Sequence, residues 1–268
     1  GIATPREPCL QPMRYNLAVH LARFSYRDET LRGEVIDARL VQSPNGSKLS
    51  LEEVELLEPC EPSKVVCVGR NYADQAAELG NAVPDEPLQL LQPPTAGLAT
   101  GAEIEYPSYS SLLNYDGELA IVIGRRCRNV PTTRAHDVIA GYTVMNDVTA
   151  RDVQRSDSQW TRGKAFDASA PLGPWLATDL DAHDVSVRTW VNGELRQDGT
   201  TRDLVFRVEH LVAYASRVMT LEVGDVIATG TPAGVGELKL GDTVAVEVES
   251  IGRLENTVTA APTDPLID

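Results

Sequence analysis

The chain reads as a strand-rich α+β protein with largely antiparallel strands, and three observations predict it. Short apolar runs alternate with polar residues, as in Leu17-Ala-Val-His-Leu21 and Gly33–Leu40, which is the period of a half-buried strand. Turn pairs that favour positive φ punctuate these runs: Asn45-Gly46, Asn192-Gly193, Gly224-Asp225 and Gly241-Asp242. The runs do not alternate with helices of the length a βαβ crossover needs, which sets aside a parallel sheet wound with helices.

Taken in order, residues 1–13 carry three prolines and no periodicity, and read as a loose arm. Residues 14–60 follow as a small β module with a turn at Ser43-Pro-Asn-Gly46. Pro59-Cys-Glu-Pro62 links it to a larger unit over 61–268. There, Lys64–Gly69 is a short buried strand. Asn71–Leu79 has helical spacing, with Tyr72, Ala76 and Leu79 on one side. Pro84–Pro94 is proline-rich and reads as a loop. Thr132 is the expected N-cap of a short helix ending before Gly141. Leu119–Ile123 and Tyr142–Met145 are apolar strands. A helix starting at Asn146-Asp147 would place Asp147, Arg151 and Gln154 at i, i+4 and i+7, one stripe on one face. Asp184–Val191 and the run from Glu194 form a hairpin. Val208–Met219 is an amphipathic helix whose apolar face carries Leu211, Val212, Ala215, Val218 and Met219.

Composition narrows the function. The 268 residues carry 39 acids against 24 Lys and Arg, a formal charge of −15, which argues against a nucleic-acid partner because phosphate binding is driven by bases. No apolar run approaches the ~20 residues that span a bilayer, and Gly1-Ile-Ala-Thr-Pro-Arg6 has no signal pattern. The expectation is a cytoplasmic protein with no membrane partner. Cys9, Cys60, Cys67 and Cys127 are scattered and form no zinc or disulfide framework.

Chemistry concentrates between Tyr115 and Lys164. Asp116 and Glu118 flank Gly117, and in an extended segment they point to the same face. Asp147 closes the run Tyr142–Met145. Carboxylates without Cys or His partners select Mg²⁺ or Mn²⁺, with Ca²⁺ as a third choice. Such an ion suits a 2-oxo acid chelated through its carboxylate and keto oxygen, and acts as a Lewis acid on an enolate. Lys164 would add a point charge and Arg151 a fork for a carboxylate. The bland reading is an ordinary Asp147–Arg151 pair on a surface helix, worth ~0.2–0.5 kcal/mol. The loop Thr229-Gly-Thr-Pro-Ala-Gly-Val-Gly236 lacks the Gly-Lys-Ser/Thr ending of a phosphate loop and is not a nucleotide site.

Seven segments in consistent order then carry a resemblance: 66–74 (VCVGRNYAD), 115–124 (YDGELAIVIG), 140–152 (AGYTVMNDVTARD), 159–167 (QWTRGKAFD), 171–174 (PLGP), 191–194 (VNGE) and 229–232 (TGTP). Together they resemble the fumarylacetoacetate hydrolase family. The preceding β module is similar to that of its bacterial isomerase and acylpyruvate hydrolase members. The resemblance implies a mixed β-roll with a small N-terminal β module, a homodimer, and a catalytic domain over 61–268. It implies a small 2-oxo or 2,4-dioxo acid or 2-hydroxydienoate as substrate, in aromatic-compound catabolism. By the same resemblance Asp116, Glu118 and Asp147 hold Mg²⁺ or Mn²⁺. Glu78, Lys164, Arg151 and Gln154 are catalytic, and Arg70, Tyr72 and Thr231 bind substrate.

Three departures bear on the reaction. Asp116 stands where the family has Glu, Gln92 where many members have Lys, and Gln75 where hydrolytic members have His in N-Y-x-x-H-x-x-E. Gln takes no proton near neutral pH, and a general base contributes ~10²–10⁴-fold. Glu78, or Lys164 if burial lowers its pKa, is then the remaining base. The balance moves from C–C hydrolysis toward isomerisation or decarboxylation through a metal-held enolate. A degenerate member that binds a ligand or partner without turnover is the alternative.

Overall fold

The computed structural model describes residues 19–37 and 39–261, so the arm expected over 1–13 lies outside the described residues. Five strands come first: β1 (His20–Tyr26), β2 (Glu29–Asp37), β3 (Leu40–Gln42), β4 (Lys48–Ser50) and β5 (Glu55–Leu57). They bury Ala22, Phe24, Val35 and Val41 in a core of their own. The β3–β4 turn is the expected one, with Gly46 at φ 86 and Ser43 Oγ donating to Asn45 Oδ1.

The chain continues through β6 (Val65–Gly69), α1 (Ala73–Glu78), β7 (Leu88–Gln92), β8 (Gly97–Leu98), β9 (Glu103–Tyr106), β10 (Leu113–Tyr115), β11 (Gly117–Ile123) and β12 (Ile139–Asn146). Then come β13 (Thr149–Ala150), α2 (Arg151–Ser156), α3 (Thr161–Lys164), β14 (Ala170–Ala177), β15 (Ser186–Val191) and β16 (Glu194–Thr200). The last are α4 (Val208–Val218), β17 (Val226–Ala228), β18 (Gly236–Leu238), β19 (Thr243–Val248) and β20 (Gly252–Ala260).

A large sheet runs β4-β3-β2-β1-β14-β12-β11-β17-β6-β7, with β5 beside β1 and β8 beside β14. A five-stranded sheet, β16-β15-β19-β20-β9, and a small one, β13-β10-β18, complete the fold. Pairing is antiparallel except for β6 with β17, β8 with β14, and β9 with β20. This is the strand-rich α+β architecture with mixed sheets that the sequence predicts.

Strand β11 shows why its sequence is apolar without interruption. Leu119, Ile121 and Ile123 enter a core with Leu211, Val212 and Ala215 of α4 and with Val246 and Val248 of β19. Ala120 and Val122 face the other way, into a core with Met145, Val226 and Ala228. A strand buried on both faces needs no polar alternation.

Four local expectations are corrected. Pro84–Pro94 is not all loop, because β7 lies within it and pairs β6 over five residues; its prolines bracket the strand and leave its N–H groups free to pair. The helix expected from Asn146-Asp147 starts only at Arg151. Asp147 N–H donates to Asp116 O at 2.9 Å, Val148 N–H to Ser169 O at 2.9 Å, and β13 pairs β10, which holds 147–150 extended. Thr132 is the first residue of a 3₁₀ segment, Thr132–Val138, with Pro131 at its cap. Val218 ends α4 in solvent, 56% exposed, instead of on its apolar face.

Candidate active site

The step from β10 into β11 carries the acid-glycine-acid motif. A Cβ on Gly117 would come within 2.2 Å of Thr189 Oγ1, so only glycine lets β11 lie against β15 here. On either side, Asp116 and Glu118 are 3% exposed, and Asp147, following β12, is 2% exposed. All three line one cavity of about 300 Å³, with Arg70, Gln75, Arg151, Gln154, Trp160, Lys164 and Thr231.

The hydrogen bonds show how the acids are held. Arg151 Nη2 donates to Asp116 Oδ1 at 2.8 Å and Oδ2 at 2.9 Å. Thr149 Oγ1 adds a bond to Asp116 Oδ2 at 3.1 Å. Lys164 Nζ bridges Asp116 Oδ2, at 3.3 Å, and Asp147 Oδ2. Gln92 Nε2 donates to Asp147 Oδ1 at 2.8 Å and to Lys164 O at 2.6 Å, so the residue replacing the family's Lys braces both. Glu118 Oε2 accepts from Gly230 N–H at 2.7 Å. Gly230 sits at φ +100, a left-handed conformation that suits glycine, and the Thr229–Pro232 loop thereby aims its amide at the acid. In the same loop Thr231 Oγ1 donates to Gly117 O at 2.8 Å and accepts from Gln197 Nε2 at 2.7 Å.

Three buried carboxylates therefore face two cations. Burial, then the charge of Asp147, pushes the Glu118 carboxyl well above the usual range, against the pull of Lys164 and the Gly230 amide. Burial also raises Asp147, with the pull of Lys164 partly cancelled by Asp116. For Lys164 burial acts to lower the pKa, but Asp147 and Asp116 outweigh it and the ammonium is held above its usual range. The expectation that burial makes Lys164 a neutral base is thus corrected for this arrangement.

The predicted site residues do not all converge. Asp116, Glu118, Asp147, Arg151, Gln154, Lys164, Thr231 and Arg70 reach the cavity, and Arg70 lies over the Trp160 ring at 5.9 Å. Glu78 does not line it; it is exposed and accepts from Gly234 N–H at 3.0 Å. Tyr72 is buried beside the cavity wall, its hydroxyl without a hydrogen-bond partner, and burial followed by Glu118 pushes its pKa up. Arg151 pairs with Asp116 instead of forming the helical stripe with Asp147. Sequence reasoning missed Thr149, Gln197, Arg155 and Trp160. Thr149 was legible as i+2 from Asp147 in an extended segment, whereas Gln197 reaches Thr231 only through the folding of the β15–β16 hairpin.

With this geometry in place, comparison with known proteins is decisive. The sequence model of the fumarylacetoacetate (FAA) hydrolase C-terminal family matches residues 64–259. The chain belongs to that family. A mitochondrial oxaloacetate tautomerase of Bos taurus, FAHD1, is 42% identical over 193 residues, covering 70% of this chain and 87% of the relative. A 5-carboxymethyl-2-hydroxymuconate delta-isomerase from Mycobacterium smegmatis superposes with a TM-score of 0.85 at 44% identity, covering 91% of this chain and all of that one. A fumarylpyruvate hydrolase from Pseudomonas aeruginosa, solved with Mn²⁺ and pyruvate, has a TM-score of 0.70 at 35% identity, covering 74% and 90%. The chain is an enzyme of the family's hydrolase and isomerase kind and acts on small organic acids. No helix among the described residues is long and apolar enough to cross a membrane.

Proposed function

We propose that this enzyme is divalent-metal-dependent and isomerises a small 2-oxo or 2,4-dioxo acid or a 2-hydroxydienoate through its enolate, as a step in aromatic-compound catabolism. The observation that carries the proposal is the convergence of Asp116, Glu118, Asp147, Arg151 and Lys164 on one polar cavity with Gln75 in its wall. All the lining residues fall between Val68 and Thr231, so we place the chemistry in the unit from 61 onward and treat 14–60 as a small domain joined to it through the β1–β14 pairing. A homodimer is the assembly we expect.

By donor type the residues present suit a hard divalent ion, though the three carboxylates are spread wider than the 4.8 Å grouping of a closed site. The donors are carboxylate oxygens. Burial, and after it the charge of the neighbouring carboxylates, raises Glu118 and Asp147, so a cation placed among them would be favoured. Asp116, Glu118 and Asp147 would hold Mg²⁺ or Mn²⁺, whose Lewis acidity would favour the enolate form of a chelated 2-oxo acid. Arg151 and Gln154, three residues apart on α2, present a guanidinium and an amide to the substrate's oxygens. Thr231 offers a hydroxyl fixed by Gln197. Arg70, stacked on Trp160, supplies a cation for a distal carboxylate. Lys164 Nζ, paired with Asp116 and Asp147, would set a positive charge beside the enolate oxygen, and the proton leaving the substrate carbon would pass to solvent water and be returned at the new position.

Gln75 is 6% exposed and lines the cavity where hydrolytic members place a histidine base. Isomerisation needs no activated water, and this favours it over C–C hydrolysis. The test is an assay of oxaloacetate tautomerisation, hydroxydienedioate isomerisation and acylpyruvate hydrolysis, each with and without Mg²⁺ or Mn²⁺. Metal-dependent isomerisation with weak hydrolysis is expected, and Gln75→His should raise acylpyruvate hydrolysis tenfold or more. Metal-independent turnover, or hydrolysis by the wild type as the dominant activity, would overturn the reading.

A further inference from the structure

His136, His183 and Glu209 come together from three elements at the edge of the larger core. His136 lies in the segment Thr132–Val138, His183 in the loop between β14 and β15, and Glu209 in the first turn of α4. Glu209 Oε1 is 2.8 Å from His136 Nε2 and 3.1 Å from His183 Nε2. One ligand atom from each of the three lies within 4.8 Å of the others, and no other His, Cys, Asp and Glu group among the described residues meets that spacing. None of the three lines the acid cavity. We propose that they form a second cation site, selective for a borderline divalent ion of the zinc type.

Donor chemistry sets the class of ion. Two imidazole nitrogens and one carboxylate oxygen suit Zn²⁺, Co²⁺, Ni²⁺ or Cu²⁺ far better than Mg²⁺ or Ca²⁺. A tetrahedral ion with bonds of about 2.0–2.1 Å needs neighbouring donors about 3.3 Å apart. The two nitrogen–oxygen spacings of 2.8 and 3.1 Å are therefore a few tenths short, within reach of small side-chain rotations. Both imidazoles converge on the same carboxylate oxygen, so an ion entering between them replaces one hydrogen bond and one ion-pair contact with three ligand bonds.

The frame is preorganised. Ala135 and Val138 are buried beside His136, Ala182 beside His183, and Val208 beside Glu209. The backbone at each ligand is thus fixed while the side chains reach outward. His183 N–H is tied to Asp181 Oδ1 at 3.1 Å, and the nearby Arg134 is already paired with Asp137 at 2.7 Å. The partial positive charge at the start of α4 opposes a cation, and the Glu209 carboxylate offsets it. His136 is exposed, which leaves a fourth position open to water. An ion here would join the 3₁₀ segment, the β14–β15 loop and α4, and would stabilise the fold by mass action.

The test is calorimetric titration of the full chain with ZnCl₂ under saturating MgCl₂, alongside thermal melts. One zinc per chain and a raised Tm are expected. His136→Ala and His183→Ala should each weaken zinc affinity at least about tenfold, the double variant should lose uptake, and turnover should stay at the wild-type level. Glu118→Gln should keep zinc uptake intact. No uptake by the wild type, or equal uptake by the double variant, overturns the site. Loss of uptake in Glu118→Gln would assign the ion to the acid cavity and overturn it equally.

Discussion

Asp147 and Glu209 each face two nitrogen partners, yet their carboxyls shift in opposite directions. Asp147 meets Lys164 Nζ and Gln92 Nε2, and is raised because it is fully buried, with Asp116 beside it. Glu209 meets two imidazoles. Burial raises it less, and its own backbone N–H with His136 and His183 brings it below the usual range. Among the buried groups of the acid cavity carboxylates outnumber cations three to two, and burial penalises their charge, so a hard ion gains there by relieving that penalty. At the edge of α4 the carboxylate is already satisfied, and an ion succeeds only through the imidazoles. Two sites can thus coexist in one chain with different ion preferences.

The largest effects should come from breaking the acid cavity. Glu118→Gln or Asp147→Asn should lower kcat/KM on the order of 10³-fold or more, since Lewis-acid stabilisation is worth several kcal/mol; steady-state assays with added Mn²⁺ measure it. Partial recovery at high Mn²⁺ would mark the removed acid as a ligand, while a small loss that does not vary with Mn²⁺ concentration would show that it was not one. Lys164→Met probes charge balance instead. Without its bridge, Asp116 and Asp147 are left buried with Arg151 alone, and breaking a buried pair costs about 3–5 kcal/mol. Denaturant unfolding should show that loss in metal-free protein, and Mn²⁺ should recover much of it. His183→Ala, by contrast, should cost less than about 1 kcal/mol without zinc, because exposed pairs contribute little.

The same contrast explains what the sequence revealed. The acid cavity was legible because Asp116-Gly-Glu118, Asn146-Asp147, Arg151 and Lys164 lie within 49 residues of one another, and strand periodicity already puts Asp116 and Glu118 on one face. The Arg151–Asp116 pair was misread because helical spacing was extended back to Asp147, where bonds to Asp116 O and Ser169 O impose an extended backbone. The His–Glu cluster was not legible. Residues 136, 183 and 209 meet only after α4 packs on the Thr132–Val138 segment, a contact between apolar faces that leaves no local motif. Glu78 was legible only in part: helical spacing places it on α1, while its bond to Gly234 N–H depends on the packing of the 229–236 loop.

Asp152 offers a third way to hold a carboxylate, and the smallest expected effect. It follows Arg151 in α2 and uses no cation. Burial would raise it, but Ser110 Oγ at 2.6 Å, Ser111 N–H at 2.8 Å and Ser111 Oγ at 2.9 Å donate to it and hold its pKa at about 2, against an ordinary 3.8. A carboxyl whose folded pKa is depressed stabilises the fold while ionised. That stability is complete above about pH 4, falls as pH drops through 3.8 toward 2, and is gone below. Solvent screening at this partly exposed site limits it to about 1 kcal/mol. Asp152→Asn should therefore be less stable than wild type by about that amount at pH 6, with the gap narrowing as pH falls below 4. Urea unfolding of both proteins across pH 2.5–6 measures the difference. Because Ser110 and Ser111 tie the loop before β10 to α2, the variant should also loosen Arg151 against Asp116. A rise in KM with kcat nearly unchanged would place that loosening in substrate binding, while unaltered kinetics would show that the Asp116 pair holds Arg151 unaided.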